Sequence, residues 1–263
     1  TDGIGKLAAF RLAKDGHTII LHGRNTDKLK AVANEIVKET ANENILHYSA
    51  DLSNLKQIDN LAKSLNEDLD HLDVLINNAG VFKSQVAKND QGIDLRFMVN
   101  YLAPYHLSNL LLPLLHKSKD ARIINLSSAA QSKVSFELLK GNGSTAEQSS
   151  YAQSKLALTM WSFHLASQLK ELVVIAVNPG SLLNTKMVQE AYGKSWSSAD
   201  KGSNILYKLA TEATFKSESG KYFDNDLGDP QGKFGQAHPD AYNETLIYQL
   251  VAVTDELLQS LSK

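Results

Sequence analysis

The chain has 263 residues, a formal net charge of −2 from 27 Lys plus Arg against 29 Asp plus Glu, and no cysteine. The length fits one large α/β domain or two small ones, and missing cysteine excludes a disulfide framework, a Cys-ligated metal centre and a thiol nucleophile. Balanced charge without a basic run argues against a nucleic-acid partner. The longest apolar stretches, Leu110–Leu115 and Leu172–Val177, fall well short of the about 20 residues of a membrane span, so the chain reads as cytoplasmic.

Helix-like and strand-like segments alternate along the chain. Ile4 to Lys14 predicts an amphipathic helix stopped by Asp15-Gly16, and His17–Leu21 a short strand. A helix with Leu29, Val32, Ile36 and Val37 on its apolar face precedes a strand at Ile45–Tyr48. A helix through Leu55, Ile58, Leu61 and Leu65 precedes Leu72–Ile76. Two longer units follow: a helix from Asp94 to Leu115 before the strand Arg122–Leu126, and a helix from Ser150 to Leu169 before Leu172–Val177.

Strands apolar on both faces with helices between them predict a parallel sheet covered on both sides, a doubly wound α/β fold in a single domain over 1–263. Residues 181–202 and the C-terminal segment 224–263, irregular over 224–241, read as loops over a substrate site. In such sheets ligands sit beyond the carboxyl ends of the strands.

Residues at those ends carry the chemistry. Gly3-Ile4-Gly5 opens the first helix, where glycines let a phosphate approach backbone N–H groups, although two glycines also make an ordinary turn. Arg24 stands where an arginine meets the 2′-phosphate of NADP, or is a solvated surface residue. Asp51-Leu52 offers a carboxylate to a ribose or purine, or a helix cap. Asn77-Asn78-Ala79-Gly80 suggests close approach of backbone to a ligand. Tyr151 and Lys155 lie four residues apart, on one face of a helix, where the ammonium favours phenolate and makes the tyrosine a general acid/base; the spacing also arises by chance. Asn125-Leu126-Ser127-Ser128 and Asn178-Pro179-Gly180 end the last two of these strands, and Asn100 sits inside the long helix, where it could equally bend its own helix. Gly193-Lys194-Ser195 is no phosphate loop, because Val188 stands where glycine is needed. A Gly-x-Ser-x-Gly elbow is absent too.

The ordered set Gly3-Ile4-Gly5, Arg24, Asp51-Leu52, Asn77 to Gly80, Asn100, Ser128, Tyr151, Lys155 and Asn178-Pro179-Gly180 resembles the short-chain dehydrogenase/reductase family over nearly the whole chain. Gly80-Val81-Phe82, Gly92-Ile93-Asp94, Asn100-Tyr101-Leu102 and the long gap from Ser128 to Tyr151 are similar to its retinol-dehydrogenase and WW-domain-oxidoreductase branch. The resemblance implies a Rossmann-type sheet and an NADP(H)-dependent oxidoreductase interconverting an alcohol and its carbonyl. Tyr151 would be the acid/base, and Lys155 would tune it and bond the nicotinamide ribose. Ser128 would position the substrate oxygen while Ser127 is structural, and Asn100 would hold a water linked to Lys155. Gly3, Ile4, Gly5, Arg24, Asp51, Leu52, Asn77, Ala79, Gly80, Pro179, Gly180 and Thr185 would line the cofactor, with Asp51 at the adenine, Asn77 on the adenosine side and Thr185 at the carboxamide.

It further implies no metal, an apolar small-molecule substrate, and a homodimer or homotetramer formed through the helices carrying Asn100 and Tyr151. The stripe Leu107–Leu115 is compatible with that pairing or with facing the sheet. The family's first strand and first glycine would lie before Thr1, and the connection Lys170 to Leu172 is short. Two backbone rows flanking an empty central slot would leave their N–H and C=O groups unpaired, each group costing about 1–3 kcal/mol, so an apolar strand and a Gly-containing turn upstream are expected. A non-catalytic NADP-binding sensor or scaffold of the same fold is the alternative; the four candidate catalytic residues count against it.

Overall fold

The computed structural model describes residues 1–228 and 231–261; positions 229, 230, 262 and 263, inside the expected segment 224–263, lie outside the described residues. Asp2 caps the first helix, α1 (Gly3–Lys14), by accepting from the Gly3 N–H. The chain then reverses at Gly16, whose φ of 84° is one a side chain would resist. Strand β1 (Ile19–Gly23), helix α2 (Thr26–Thr40), strand β2 (Ile45–Ser49), helix α3 (Leu55–Asp68) and strand β3 (Val74–Asn77) follow. Asn25 and Asn54 cap α2 and α3 through their side chains, so both helices start where an amide oxygen meets an otherwise orphaned N–H.

The single helix expected from Asp94 to Leu115 is interrupted. A short turn, α4 (Leu95–Phe97), leads into a π-helical stretch at Met98–Leu102 and then α5 (Ala103–Leu115). Pro104 has no N–H to donate to the Asn100 carbonyl, so α-type pairing breaks here and a wider bond from Ala103 N to Met98 O replaces it.

Strand β4 (Arg122–Leu126), the turn α6 (Phe136–Leu139), the long helix α7 (Glu147–Gln168) and strand β5 (Val173–Asn178) come next. The short link between α7 and β5 closes through a bond from Leu172 N to Leu169 O. Beyond β5, the expected loop 181–202 holds α8 (Lys186–Tyr192) and the first turn of α9 (Ala199–Thr211), strand β6 (Lys221–Asp224) follows, and the segment from 224 on holds strand β7 (Lys233–Gly235) and α10 (Glu244–Leu261). Helix α9 forms despite its Ser and Gly because Ile205, Leu206 and Leu209 recur on one face and bury completely or nearly so.

Strands β3 to β7 form one sheet in sequence order, parallel except for the antiparallel edge β7, while β1 pairs in parallel with β2 alone. β1 and β3 are not hydrogen-bonded to each other. In β4 and β5 successive residues feed opposite layers. Ile123 and Val174 join the core beneath α3, α5, α7 and α10, and Ile124, Ile175 and Val177 join the core beneath α1 and α9. This two-sided burial is why both strands read as unbroken apolar runs. The stripe Leu107, Leu111, Leu114 and Leu115 is buried in that first core, so of the two readings left open for it, the inward one holds.

Helix α10 covers the outer side of this layer. Tyr101 shares a buried hydroxyl hydrogen bond with Thr254 at 2.8 Å, and Tyr105 donates to Asp255 at 2.6 Å. Burial pushes the phenol of Tyr101 well above its ordinary titration range, so it stays protonated at any working pH.

Candidate active site

The carboxyl ends of β1 to β5 open onto one cleft of about 1290 Å³, which also extends between β1 and β3 and whose lining includes Gly3, Arg24, Asp51, Tyr151 and Lys155. Its floor is tight. Gly3 has a φ of 56°, and a Cβ added at Gly5 would come within 2.5 Å of Asn78 Nδ2. Gly80 faces the Asn100 amide and the Lys155 ammonium, where a Cβ would lie 3.4 Å and 3.6 Å away. Glycine at these positions keeps backbone close to whatever fills the cleft.

Tyr151 and Lys155 occupy successive turns of α7, and Lys155 Nζ sits 5.6 Å from the Tyr151 ring centroid. Lys155 is buried and donates to the Leu126 carbonyl at 2.6 Å, leaving two of its three donors for the cleft. Burial lowers its pKa to about 8.

Asn100 is fully buried in the π-helical stretch and ties three segments together. Its Oδ1 accepts from Val81 N at 2.7 Å, and its Nδ2 donates to Val81 O and to Ser154 Oγ, each at 3.0 Å. Ser154 Oγ in turn donates to the Tyr151 carbonyl at 2.7 Å. Both amide N–H groups are thus committed, and a water linked to Lys155 has only oxygen atoms of Asn100 to rest on.

The two serines after β4 separate as their positions imply. Ser127 is buried and bonds Thr159 Oγ1 at 2.6 Å and the Lys155 carbonyl at 3.1 Å, which braces α7 against the strand. Ser128 is half-buried on the cleft lining, and its Oγ accepts from Ala130 N at 3.1 Å. The Ser128 carbonyl is held by Tyr222 Oη at 3.0 Å and Gln131 Nε2 at 2.9 Å.

The remaining candidates divide. Arg24 is exposed on the cleft wall, with no ion-pair partner for its guanidinium among the described residues. Asp51 Oδ1 accepts from Ser53 N at 2.8 Å, so the turn reading applies to one of its two oxygens. Ile4 and Leu52 are buried beside the cleft, and Ala79 lines it. Asn77 points its amide into the protein, donating to Ser108 Oγ at 3.1 Å and Asn125 Oδ1 at 2.7 Å, and so holds β3 to α5 and β4. Asn78 stands closer to ligand duty. Its buried Oδ1 has no protein partner, and its Nδ2 lies over Gly5.

Pro179 and Gly180 turn sharply after β5, with Gly180 at φ 122°, and Asn178 anchors the turn by donating to Asp224 and Asp226 at 2.8 Å each. Thr185 caps α8, and its methyl would lie 3.4 Å from a Cβ at Gly3. The sequence reading quoted Phe82 in a motif but gave it no role at the site. Its ring packs on Tyr151 with centroids 4.8 Å apart. Among the described residues no cluster of metal-ligating side chains is present, and no helix is long and apolar enough to cross a membrane.

Known proteins resemble this chain in sequence and fold. The short chain dehydrogenase family model matches residues 1–195. Retinol dehydrogenase 13 of Homo sapiens is 33% identical over 241 residues, covering 88% of this chain and 72% of the relative. Human polyprenol dehydrogenase is 33% identical over 202 residues, covering 73% and 61%. Among solved structures, a short chain dehydrogenase from Escherichia coli CFT073 complexed with NADPH superposes with a TM-score of 0.70 at 28% identity, covering 85% of this chain and 92% of that one.

The buried Lys155 makes stability depend on pH. An unfolded lysine titrates near about 10.4, so between pH 8 and 10 the unfolded chain binds more protons than the folded one, and stability rises with pH across that window. Denaturant unfolding at pH 8 and pH 9.5 should show this rise in the parent and its loss in Lys155→Met. Equal slopes in both proteins would contradict the burial cost.

Proposed function

The chain belongs to the short-chain dehydrogenase family, and from that premise we propose that it is an NADP(H)-dependent oxidoreductase interconverting an apolar alcohol and its carbonyl, with Tyr151 as the general acid/base. The observation that carries this reading is the buried Lys155 ammonium beside the Tyr151 ring, on a helix held to the cleft by Asn100.

The residues present fit a dinucleotide. The glycine floor at Gly3 and Gly5, the unpartnered Asn78 Oδ1 and the Pro179-Gly180 turn leave backbone and amide groups facing a long cleft. Arg24 would meet a 2′-phosphate, Asp51 the adenosine side, and Lys155 the ribose next to the nicotinamide, with Thr185 above Gly3 at the carboxamide end. When bound, NADP(H) supplies or takes up the hydride.

The chain's own residues move the proton. The Ser128 and Tyr151 hydroxyls would converge on the substrate oxygen, one holding it by a hydrogen bond and the other giving or taking its proton. The Lys155 charge stabilises the negative charge left on the phenol oxygen. Phe82 packs on the Tyr151 ring and so narrows its orientations. Names among the relatives, retinol and polyprenol dehydrogenases, support an apolar allylic or long-chain alcohol as substrate. Assembly through α5 and α7 would have to accommodate α10, which lies against α5 through Tyr105 and Asp255, against α7 through the rings of His164 and Tyr248, and against Tyr101 through Thr254.

Two measurements check the reading. Tyr151→Phe should lower kcat by roughly 10²–10⁴ on retinal or a long-chain aldehyde, followed by NADPH absorbance, with NADPH affinity nearly unchanged; retention of most of kcat would sink the assignment. Arg24→Asp should weaken NADPH binding and shift preference toward NADH, because attraction to a phosphate dianion becomes repulsion. Titration of both cofactors reads the ratio, and an unchanged ratio would leave Arg24 a surface residue.

A further inference from the structure

A charged cluster that the cleft chemistry does not use lies directly behind Tyr151. Arg96 follows the first residue of α4 and is 2% exposed, an unusual place for a guanidinium. Each edge of its fork is occupied. Nε donates to the Phe82 carbonyl at 2.9 Å, Nη1 meets Asp94 Oδ2 at 3.4 Å, and Nη2 pairs with Glu147 Oε1. Glu147 also accepts from Ser84 N at 3.3 Å, and Asp94 Oδ1 accepts from Ser150 Oγ at 2.6 Å and from Arg96 N at 2.8 Å.

These bonds join only segments that converge on Tyr151. Glu147 and Ser150 belong to the first turn of α7, and Ser150 immediately precedes the tyrosine. Phe82 and Ser84 belong to the loop after β3, and the Phe82 ring lies against the Tyr151 ring. The Asn100 amide fixes the same helix through Ser154. Ser154 lies one turn beyond Ser150 on the same helix face, so the Arg96 cluster and Asn100 hold α7 on either side of Tyr151 along its length.

We propose that Arg96 is a positioning residue for Tyr151, holding the phenol at its working angle through Phe82, Glu147 and the Asp94–Ser150 bond. A buried ion pair adds little net stability against an apolar replacement, but its directional bonds specify one geometry. Reaction rates are steep in geometry, because a displacement near 1 Å can cost about 10²-fold. The proposal rests on the reading of Tyr151 as the proton donor.

A mutant cycle tests it. Glu147→Gln keeps an acceptor for Ser84 N but removes the charge facing Arg96, and Glu147 is partly exposed, so the variant should fold. Single-turnover reduction of retinal is measured for the parent, Glu147→Gln, Tyr151→Phe and the double variant, beside NADPH affinity by fluorescence and thermal melting. The expected result is a loss of about tenfold in rate for Glu147→Gln with NADPH affinity and melting close to the parent, and less than about twofold further loss in the Tyr151→Phe background.

Arg96→Lys, which keeps the charge but loses the fork, should move the rate in the same direction and carries the cycle if Glu147→Gln melts early. Equal losses in both backgrounds, or no loss from either variant when Tyr151 is present, would overturn the positioning role. If Tyr151→Phe itself keeps the parent rate, the proton-donor reading fails and the positioning role falls with it. A crippled Tyr151→Phe beside an unaffected Glu147→Gln sinks the positioning role alone.

Discussion

The bond pair between Asn100 and Val81 is the constraint on which the site depends. A single buried amide donates to and accepts from the same backbone residue, and its second N–H reaches Ser154 on α7. The loop after β3, the π-helical stretch and the helix of Tyr151 and Lys155 are thereby fixed as one body. The amide can reach Val81 because the helix loses its α register where Pro104 offers no N–H. A π-type insertion costs regular pairing, and here that cost is offset by bonds that only a displaced side chain could form.

From that body the polar groups sort by depth. Asn77, Asn125, Ser108 and Ser162 form a buried chain of amides and hydroxyls that staples β3 and β4 to the helices above them. Each is satisfied, as burial requires. Nearer the cleft the satisfaction becomes incomplete: Asn78 Oδ1 has no protein partner, and Lys155 spends one donor on Leu126 and keeps two. The gradient runs from groups that hold the sheet to groups left open toward the cleft.

Much of this was legible in the residues and some was not. The two-faced apolar runs of β4 and β5 and the periodic helices α2 and α3 were read correctly because one local pattern decides each. β3 was placed two residues early at its start, where Leu72 and Asp73 precede the first ladder pair at Val74. Residues 181–202 were read as a loop because Gly, Ser and Asp cluster there, yet α8 and the start of α9 form within them; the rest of α9, which the sequence reading left unassigned, is carried by Ile205, Leu206 and Leu209 packing into the core, a tertiary gain that composition does not display. The interruption at Asn100 had a visible cause in Pro104, and what was hidden is the partner its amide finds, Val81, 19 residues away. The sequence reading named Asn77 and Asn78 together as an edge pair and gave the adenosine role to Asn77; in the structure the Asn77 amide bonds Ser108 and Asn125 while Asn78 Oδ1 has no protein partner, a division that local pattern does not display. Arg96 carried a visible signal, a lone cation in the apolar run Leu95 to Val99, which marks a charge that must find partners inside.

The central claim is that this cleft performs hydride transfer rather than only holding a dinucleotide. The most direct measurement is reduction of retinal by NADPH deuterated on the transferable C4 position, with mass spectrometry of the alcohol formed. The account predicts one deuterium on the carbinol carbon of the product. Tight NADPH binding with no deuterated alcohol from retinal or from a panel of apolar aldehydes and ketones would contradict it.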